Sequence, residues 1–549
     1  ALPSDPPHRE PHAIRSFSYG PGDDARPPYG RDARVLTARV DLSGVVPEGW
    51  SSRRTSYWGF DPARLPVAGK AWVPLGVSGA PLVLLMHGTH DMRVASEDGL
   101  AYLAEALSAR GFAAATIDVN FLGYGGRAGE LQGSDIQARA ALVVAHLEAW
   151  HAMVAASASP LHRAVDLQRV LLVGHSRGGE AIALAASLLS NGAARGRYRV
   201  RALAALAPTE NEGPAWFDAS YLTIHGDADN DVEAFVGLRA YHRLRVGSAG
   251  GDRGEDRGAL VKSAVLVQGA NHSQFNEAWG RSDKTWPASL LERRANLLPA
   301  WKQRRVTAAL VTAFAEAALL GSARGRDVLR DARGVVANDA GVRVKAKYQD
   351  AASELLAAFD EDQDPSTGTT DGSKIDAQGF DRWSELDPPL RLPEHFGTRM
   401  NRALELMWGR RPRATAPRLT IALPQAAAGD LRAGGSIAFN VAYPAEPPRI
   451  EVRVVDAAGL AARVPLDEHF PLEPLRRTRL SILELLERPT AQTLLETASV
   501  PLSAFTAREP RLDLGSIRTV ELVFRSTSGT VRIDDVQLWR GASPAPGPP

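Results

Sequence analysis

Between residues 82 and 320 short, wholly apolar runs alternate with stretches of helical period, and that alternation leaves few folds open. Residues 82–86 (Leu-Val-Leu-Leu-Met) read as a buried strand, 102–110 as an amphipathic helix stopped by Gly111, and 112–117 as a second buried strand. A long helical stretch over 137–153 follows, then a strand at 170–173 and a helix running through Ser190. Further strands are predicted at 202–207, 221–224 and 264–267, with helices over 232–244 and 306–320. Strands apolar on both faces and separated by helices predict an α/β architecture, a mostly parallel, doubly wound sheet. In such sheets ligands bind off the carboxyl ends of the strands, so the loops at those ends are where chemistry is expected.

Beyond residue 341 the period changes to two. Residues 419–423, 437–441, 450–454, 520–524 and 531–533 alternate apolar with polar, and Ser526-Thr527-Ser528-Gly529 is predicted as a hairpin turn joining the last two. Short alternating strands with turn punctuation predict an all-β sandwich of jelly-roll type. A chain of 549 residues exceeds one ordinary core. The expected division is an α/β domain over 1–330, opening with a Pro- and Gly-rich extended segment over 1–70; a polar linker over 331–341; a sandwich over 342–540; and a Pro-rich tail over 541–549, expected to be disordered.

Composition removes several classes. Lys and Arg number 64 against 63 Asp and Glu, so the overall balance implies neither nucleic acid nor an anionic membrane as partner. The absence of cysteine excludes disulfides, thiolate metal sites and cysteine nucleophiles. No apolar stretch approaches the length of a membrane span. The chain starts at Ala1 with a polar, Pro-rich run, which reads as a protein whose targeting segment has been removed, expected to be secreted or periplasmic.

The sharpest local signal is Gly174-His175-Ser176-Arg177-Gly178-Gly179, set between the strand at 170–173 and an alanine-rich helix. A strand, a sharp turn with serine at its apex, and a helix lift the hydroxyl off the sheet and aim helix N-terminal amides at a reacting oxygen. A serine nucleophile needs a histidine to take its proton and a carboxylate to orient that imidazole, in the chain order Ser, acid, His. His272, in Gly269-Ala270-Asn271-His272 after the last strand, is the expected base. Asp227, Asp229 and Asp231 are all candidates for the acid; Asp229 sits best in its turn, Asp231 is placed to cap the following helix, and Asp227 lies close to the strand. The oxyanion donors are expected to be the amides of Arg177 and Thr89, the latter in His87-Gly88-Thr89-His90. His90, Asn120, His175, Trp216 and Phe275 are candidates for contacting substrate, with His175 expected beside the nucleophile rather than as its base.

Residues 273–303, with Trp279, Trp286 and Trp301, form a possible cover over the site. His87-x-x-His90-Asp91 lacks a third metal ligand at a telling spacing, and no metal or other cofactor is expected. Asp360-x-Asp362-x-Asp364 carries Pro365 where a helix–loop–helix calcium loop needs glycine, and reads as an acidic turn.

These motifs, together with Ile117-Asp118-Val119-Asn120, resemble the α/β-hydrolases of the cutinase-like, chlorophyllase-like and platelet-activating-factor-acetylhydrolase-like group, over about residues 50–320. The resemblance implies a serine esterase that needs no metal. It maps Ser176, Asp229 and His272 onto the catalytic triad and Thr89 and Arg177 onto the oxyanion hole. The partner it implies is a small or polymeric carboxylic ester, and a polyester or acylated polysaccharide suits a two-domain exported enzyme. An amidase or peptidase could use the same triad, and a binding protein with a vestigial hydrolase domain is the rival of another class. The closing segment through Ile533-Asp534-Asp535-Val536 resembles galactose- or carbohydrate-binding jelly rolls, which implies carbohydrate as a second partner.

Overall fold

The computed structural model describes residues 10–157, 159, 161–190, 196–246, 260–336, 341–370, 372–389, 391–392, 401–409, 415–424, 434–483 and 489–540, without the side chain of Arg127. The tail expected at 541–549 lies outside the described residues. The chain forms two compact units. The first comprises Ala1–Leu244, Val267–Leu329 and Arg333–Arg343; the second comprises Arg245–Leu266, Arg330–Ala332 and Val344–Pro549. The chain therefore passes between them more than once, where the sequence placed a single linker at 331–341. That stretch holds a short 3-10 helix, Ala332–Val336.

The first unit carries strands β1 (Ile14–Gly20), β2 (Val35–Leu36), β3 (Gly69–Pro74), β4 (Ala80–Met86), β5 (Ala113–Ile117), β6 (Val165–His175), β7 (Val200–Leu206) and β8 (Ser220–Gly226). Its helices are α1 (Ser52–Trp58), α2 (Ala101–Ala109), α3 (Ile136–Ala155), α4 (Arg177–Ser190), α5 (Gly237–Arg243), α6 (Ala300–Leu320) and α7 (Ala323–Arg330). The strands run in the order β8-β7-β6-β4-β5-β3-β1-β2. From β8 to β5 all pairings are parallel, while β3 is antiparallel to both β5 and β1. Every residue of β4, β5 and β8 is buried, as strands covered on both faces require.

The chain leaves β4 for β5 on one side, then returns through α3 to β6 on the other. The strand order reverses there, at the carboxyl ends of β4 and β6, the place where sheets of this kind bind ligands. The sequence missed α1, which begins with a side-chain cap from Ser51 to the amide of Arg54 and ends at Gly59 in the left-handed region. The helix predicted over 232–244 forms only from Gly237. Strand β9 (Val261–Val267) leads directly into the loop that carries His272.

The second unit is antiparallel. One sheet contains β13 (Arg382–Leu386), β15 (Ala403–Trp408), β23 (Gly529–Arg540), β17 (Gly435–Ala442) and β21 (Glu496–Pro501), with β11 (Ser353–Ala357) also on β23. The other contains β12 (Lys374–Gln378), β16 (Arg418–Ala422), β22 (Ile517–Phe524), β18 (Ile450–Asp456) and β19 (Ala461–Pro465). Inward residues of both sheets, among them Leu406, Phe439, Val452, Leu522 and Ile533, share one core. This corrects the predicted hairpin at Ser526–Gly529: β22 and β23 belong to different sheets, so the turn crosses between layers. Four extended residues reach about 13 Å, enough to span the roughly 10 Å between packed sheets, and Trp408 Nε1 donates to Ser526 O at 2.9 Å. Asp362 and Asp364 accept hydrogen bonds from within their own turn, as an acidic turn does.

Candidate active site

β6 ends at His175 and α4 begins at Arg177, so Ser176 is the single residue between strand and helix. Its φ of +56° lies in the left-handed region, a strain of order 1–3 kcal/mol for a non-glycine residue. Bonds on both sides hold it there. Ser176 N–H donates to Leu206 O at 2.9 Å, and its carbonyl accepts from the amides of Gly179 at 2.8 Å and Thr209 at 3.3 Å. The loop after β4 closes over it: a Cβ on Gly88 would lie 2.5 Å from Ser176 Cβ and 3.1 Å from Oγ, so only glycine permits this approach. Among the described residues, no acceptor takes the amide of Arg177 or of Thr89.

His272 and the acidic turn meet at the neighbouring strand ends. A Cβ on Gly226 would lie 2.0 Å from Ala270 O, so glycine at the end of β8 lets the two loops touch. Asp229 Oδ2 is 3.0 Å from His272 Nδ1. Asp229 Oδ1 accepts from the amides of Asp231 at 2.9 Å and Val232 at 2.8 Å. The Asp229 carboxylate is thereby fixed at both oxygens, and it is buried together with His272. Asp227 instead accepts the amide of Gly269 at 2.5 Å.

The capping role expected for Asp231 is corrected: α5 starts six residues later, at Gly237, and Asp229 already takes the turn amides. The half-exposed Asp231 carboxylate stands 3.4 Å from His272 Nε2. Burial alone would lower the His272 pKa, but the charge and hydrogen bond of Asp229, with the charges of Asp231 and Asp283, raise it to about 9. Among the described residues neither His272 Nε2 nor Ser176 Oγ makes a hydrogen bond.

Two carboxylates absent from the sequence reading organise these loops. Asp283 Oδ2 accepts the amides of Asn230 at 3.0 Å and His272 at 3.1 Å, while Oδ1 accepts Ser273 N–H and Asn271 Nδ2, each at 2.8 Å. It joins the loop of Asp229 and Asn230 to the loop of His272. Asp135, at the start of α3, accepts from Arg139 Nε at 2.6 Å and Arg177 Nη1 at 3.0 Å. Arg139 in turn donates to His87 O at 2.9 Å and Thr89 Oγ1 at 3.1 Å. This buried pair pins residues 87–89 to α3 and α4. Burial works to raise the Asp135 pKa, but Arg139 and Arg177 overcome it and hold the carboxyl below its ordinary value. The Asp135/Arg139 spacing of four was a visible signal; its reach across to residues 87–89 was not.

The predicted substrate-contact residues separate. Trp279 stacks on His90 with ring centroids 5.0 Å apart and packs against His175 at 4.6 Å, and His175 lies 4.8 Å from the His272 ring. Phe275 is fully buried against His175. Asn120 is buried and bonded to the amide of Ser96 and to Asp118 and Glu97. Trp216 is 62% exposed, in the loop between β7 and β8. Of the three tryptophans predicted over the site, Trp279 packs there, while Trp286 and Trp301 are exposed. His225 accepts from the amide of Gly237 at 3.3 Å, and burial pushes its pKa down to about 3.

For a metal, one trio among the described residues brings ligand atoms within 4.8 Å of one another: His87, Glu97 and Asp118. Protein groups already engage it. Arg26 pairs with Asp118 at 2.6 Å, Tyr29 OH donates to Glu97 at 2.6 Å, and His87 Nε2 accepts the amide of Val119 at 3.3 Å. No protein-family model matches the chain, and no curated protein matches it.

Proposed function

We propose that the first unit is a serine hydrolase of α/β-hydrolase type that cleaves carboxylic esters. The observation that carries this reading is the Asp229–His272 pair at 3.0 Å, at the same sheet rim as a serine held at φ +56° between strand and helix. Ser176 Oγ attacks the ester carbonyl as His272 Nε2 takes its proton, and Asp229 holds the tautomer and favours the imidazolium. The unoccupied amides of Arg177 and Thr89 are the donors for the tetrahedral oxyanion. The alcohol leaves with the proton from His272. Water then attacks the acyl-enzyme with His272 again as base, releasing the acid and restoring the serine. The Ser176–His272 hydrogen bond forms in the substrate complex, as catalytic hydrogen bonds often tighten only there.

His90, Trp279 and His175 form an aromatic wall beside the base, which favours an acyl or alcohol group with an apolar face. The second unit, with two antiparallel sheets around one core, is compatible with a jelly roll. Carbohydrate binding there rests on the sequence resemblance alone.

Hydrolysis of short p-nitrophenyl esters by the full chain, with the matching anilides in parallel, tests the proposal. Ser176→Ala is expected to lower ester turnover by roughly a thousand-fold or more. Retention of more than a few per cent would remove Ser176 from the reaction, and faster cleavage of anilides than of esters would make the enzyme an amidase.

A further inference from the structure

The reaction proposed above does not use Asp231, yet its carboxylate stands at the atom through which that reaction runs. Its Oδ2 lies 3.4 Å from His272 Nε2, and its side chain is half exposed. Among the described residues no Lys or Arg pairs with it. Asp229 and Asp283, the other carboxylates beside the ring, are bonded to backbone amides and less exposed. Asp231 is therefore the one of the three that a substrate can meet.

Charge of one sign collects at this point. Asp229, Asp231 and Asp283 all act on the His272 ring in the same direction. The imidazoles packed nearby do not offset them, because burial holds His175 and His225 below their ordinary pKa and so uncharged. Arg177, on the turn after β6, pairs with Asp135 at 3.0 Å. A base must be neutral to accept a proton. In that state His272 gives Asp231 no counter-charge.

The leaving alcohol has to pass this carboxylate. Its oxygen takes the proton from Nε2 across about 3 Å, which puts it within about 6.5 Å of the Asp231 oxygen that lies 3.4 Å from the same nitrogen. A negative group on the alcohol would be repelled there, and a neutral one would leave the carboxylate unpaired. An ammonium group one or two carbons beyond the ester oxygen comes within pairing reach of it.

We propose that Asp231 is a specificity-determining residue, and that it selects esters whose alcohol carries an ammonium group close to the ester oxygen. The proposal deepens the ester-hydrolase reading and rests on it. The ion pair forms when the substrate binds and is still present as the alcohol leaves. It therefore lowers KM rather than raising kcat.

The test compares the full chain on 2-(trimethylammonio)ethyl acetate and 3,3-dimethylbutyl acetate, which differ by nitrogen for carbon, each at its pH plateau. The expected kcat/KM ratio is about five-fold in favour of the cation, the upper range for a partly exposed pair. The difference is expected in KM, and to narrow as sodium chloride is raised. In Asp231→Asn the ratio is expected to fall to within about two-fold of unity. Calorimetric binding of tetramethylammonium reads the same contact without turnover, and is expected to weaken about five-fold in the variant. Equal kcat/KM on the two esters would overturn the proposal and leave ester hydrolysis standing. A ratio and a tetramethylammonium affinity both unchanged in Asp231→Asn would overturn it too, by moving the cation's partner elsewhere. Cleavage of neither ester would remove the reading beneath it.

Discussion

At the scale of single residues the site is a contest between carboxylates for one imidazole. Asp229 holds Nδ1, and Asp231 stands 3.4 Å from the Nε2 that the proposed reaction uses to take the serine proton. Both favour the imidazolium, and with Asp283 they raise its pKa to about 9 against the burial that lowers it. A general base must be neutral to work, so kcat/KM is expected to climb with pH toward about 9. Asp231→Asn removes one charge favouring the imidazolium. The rising limb is therefore expected to move to lower pH, with turnover at the plateau largely kept. Asp229→Asn also removes the orienting acceptor and is expected to lower the plateau by orders of magnitude. A pH profile in which Asp231→Asn lowers the plateau more than Asp229→Asn does would exchange their roles.

At the scale of elements, the loops after β8 and β9 are one assembly because Asp283 bonds to both. Asp283→Ala leaves the amides of Asn230, His272 and Ser273 without that acceptor and lets the base drift from the acid. Kcat on a soluble ester is expected to fall about ten- to a hundred-fold with KM little changed, since small misplacements of catalytic groups cost that much. Unchanged kcat would reduce Asp283 to a structural bond.

This assembly also marks where the sequence stops being readable. β4, α3, α4 and β8 were legible because burial on one or two faces writes a period into the chain. Ser176 was legible because the strand–turn–helix around it is local. Asp283 lies in a segment without period, and its bonds reach 53 residues back to Asn230. The role of Asp231 was misread because the turn after β8 runs on to Gly237, a length no propensity specifies. The turn at Ser526–Gly529 was misassigned for a related reason: the residues of a hairpin and of a sheet crossover are alike, and only the partners of β22 and β23 distinguish them.

At the scale of the molecule, a mostly parallel α/β unit and an antiparallel β unit are built from one interleaved chain. The change of period near residue 341 announced the two classes, but not that residues 245–266 cluster with the second unit. The second unit encloses its own ion cluster: Lys347 Nζ lies 3.1 Å from Asp534 and 3.2 Å from Asp535, all largely buried, with Asn401 on Asp534 and Asn440 on Asp535. The Ile533-Asp534-Asp535-Val536 motif thus holds an internal lysine. In the proposed reaction the first unit contributes the nucleophile, acid and base, and Ser176 is the one activated hydroxyl of the chain. Intact-protein mass spectrometry after treatment with a fluorophosphonate tests this most directly. One label per chain is predicted, mapped to Ser176, absent from Ser176→Ala and slowed in His272→Ala; an unlabelled chain, or a label on another serine, would contradict it.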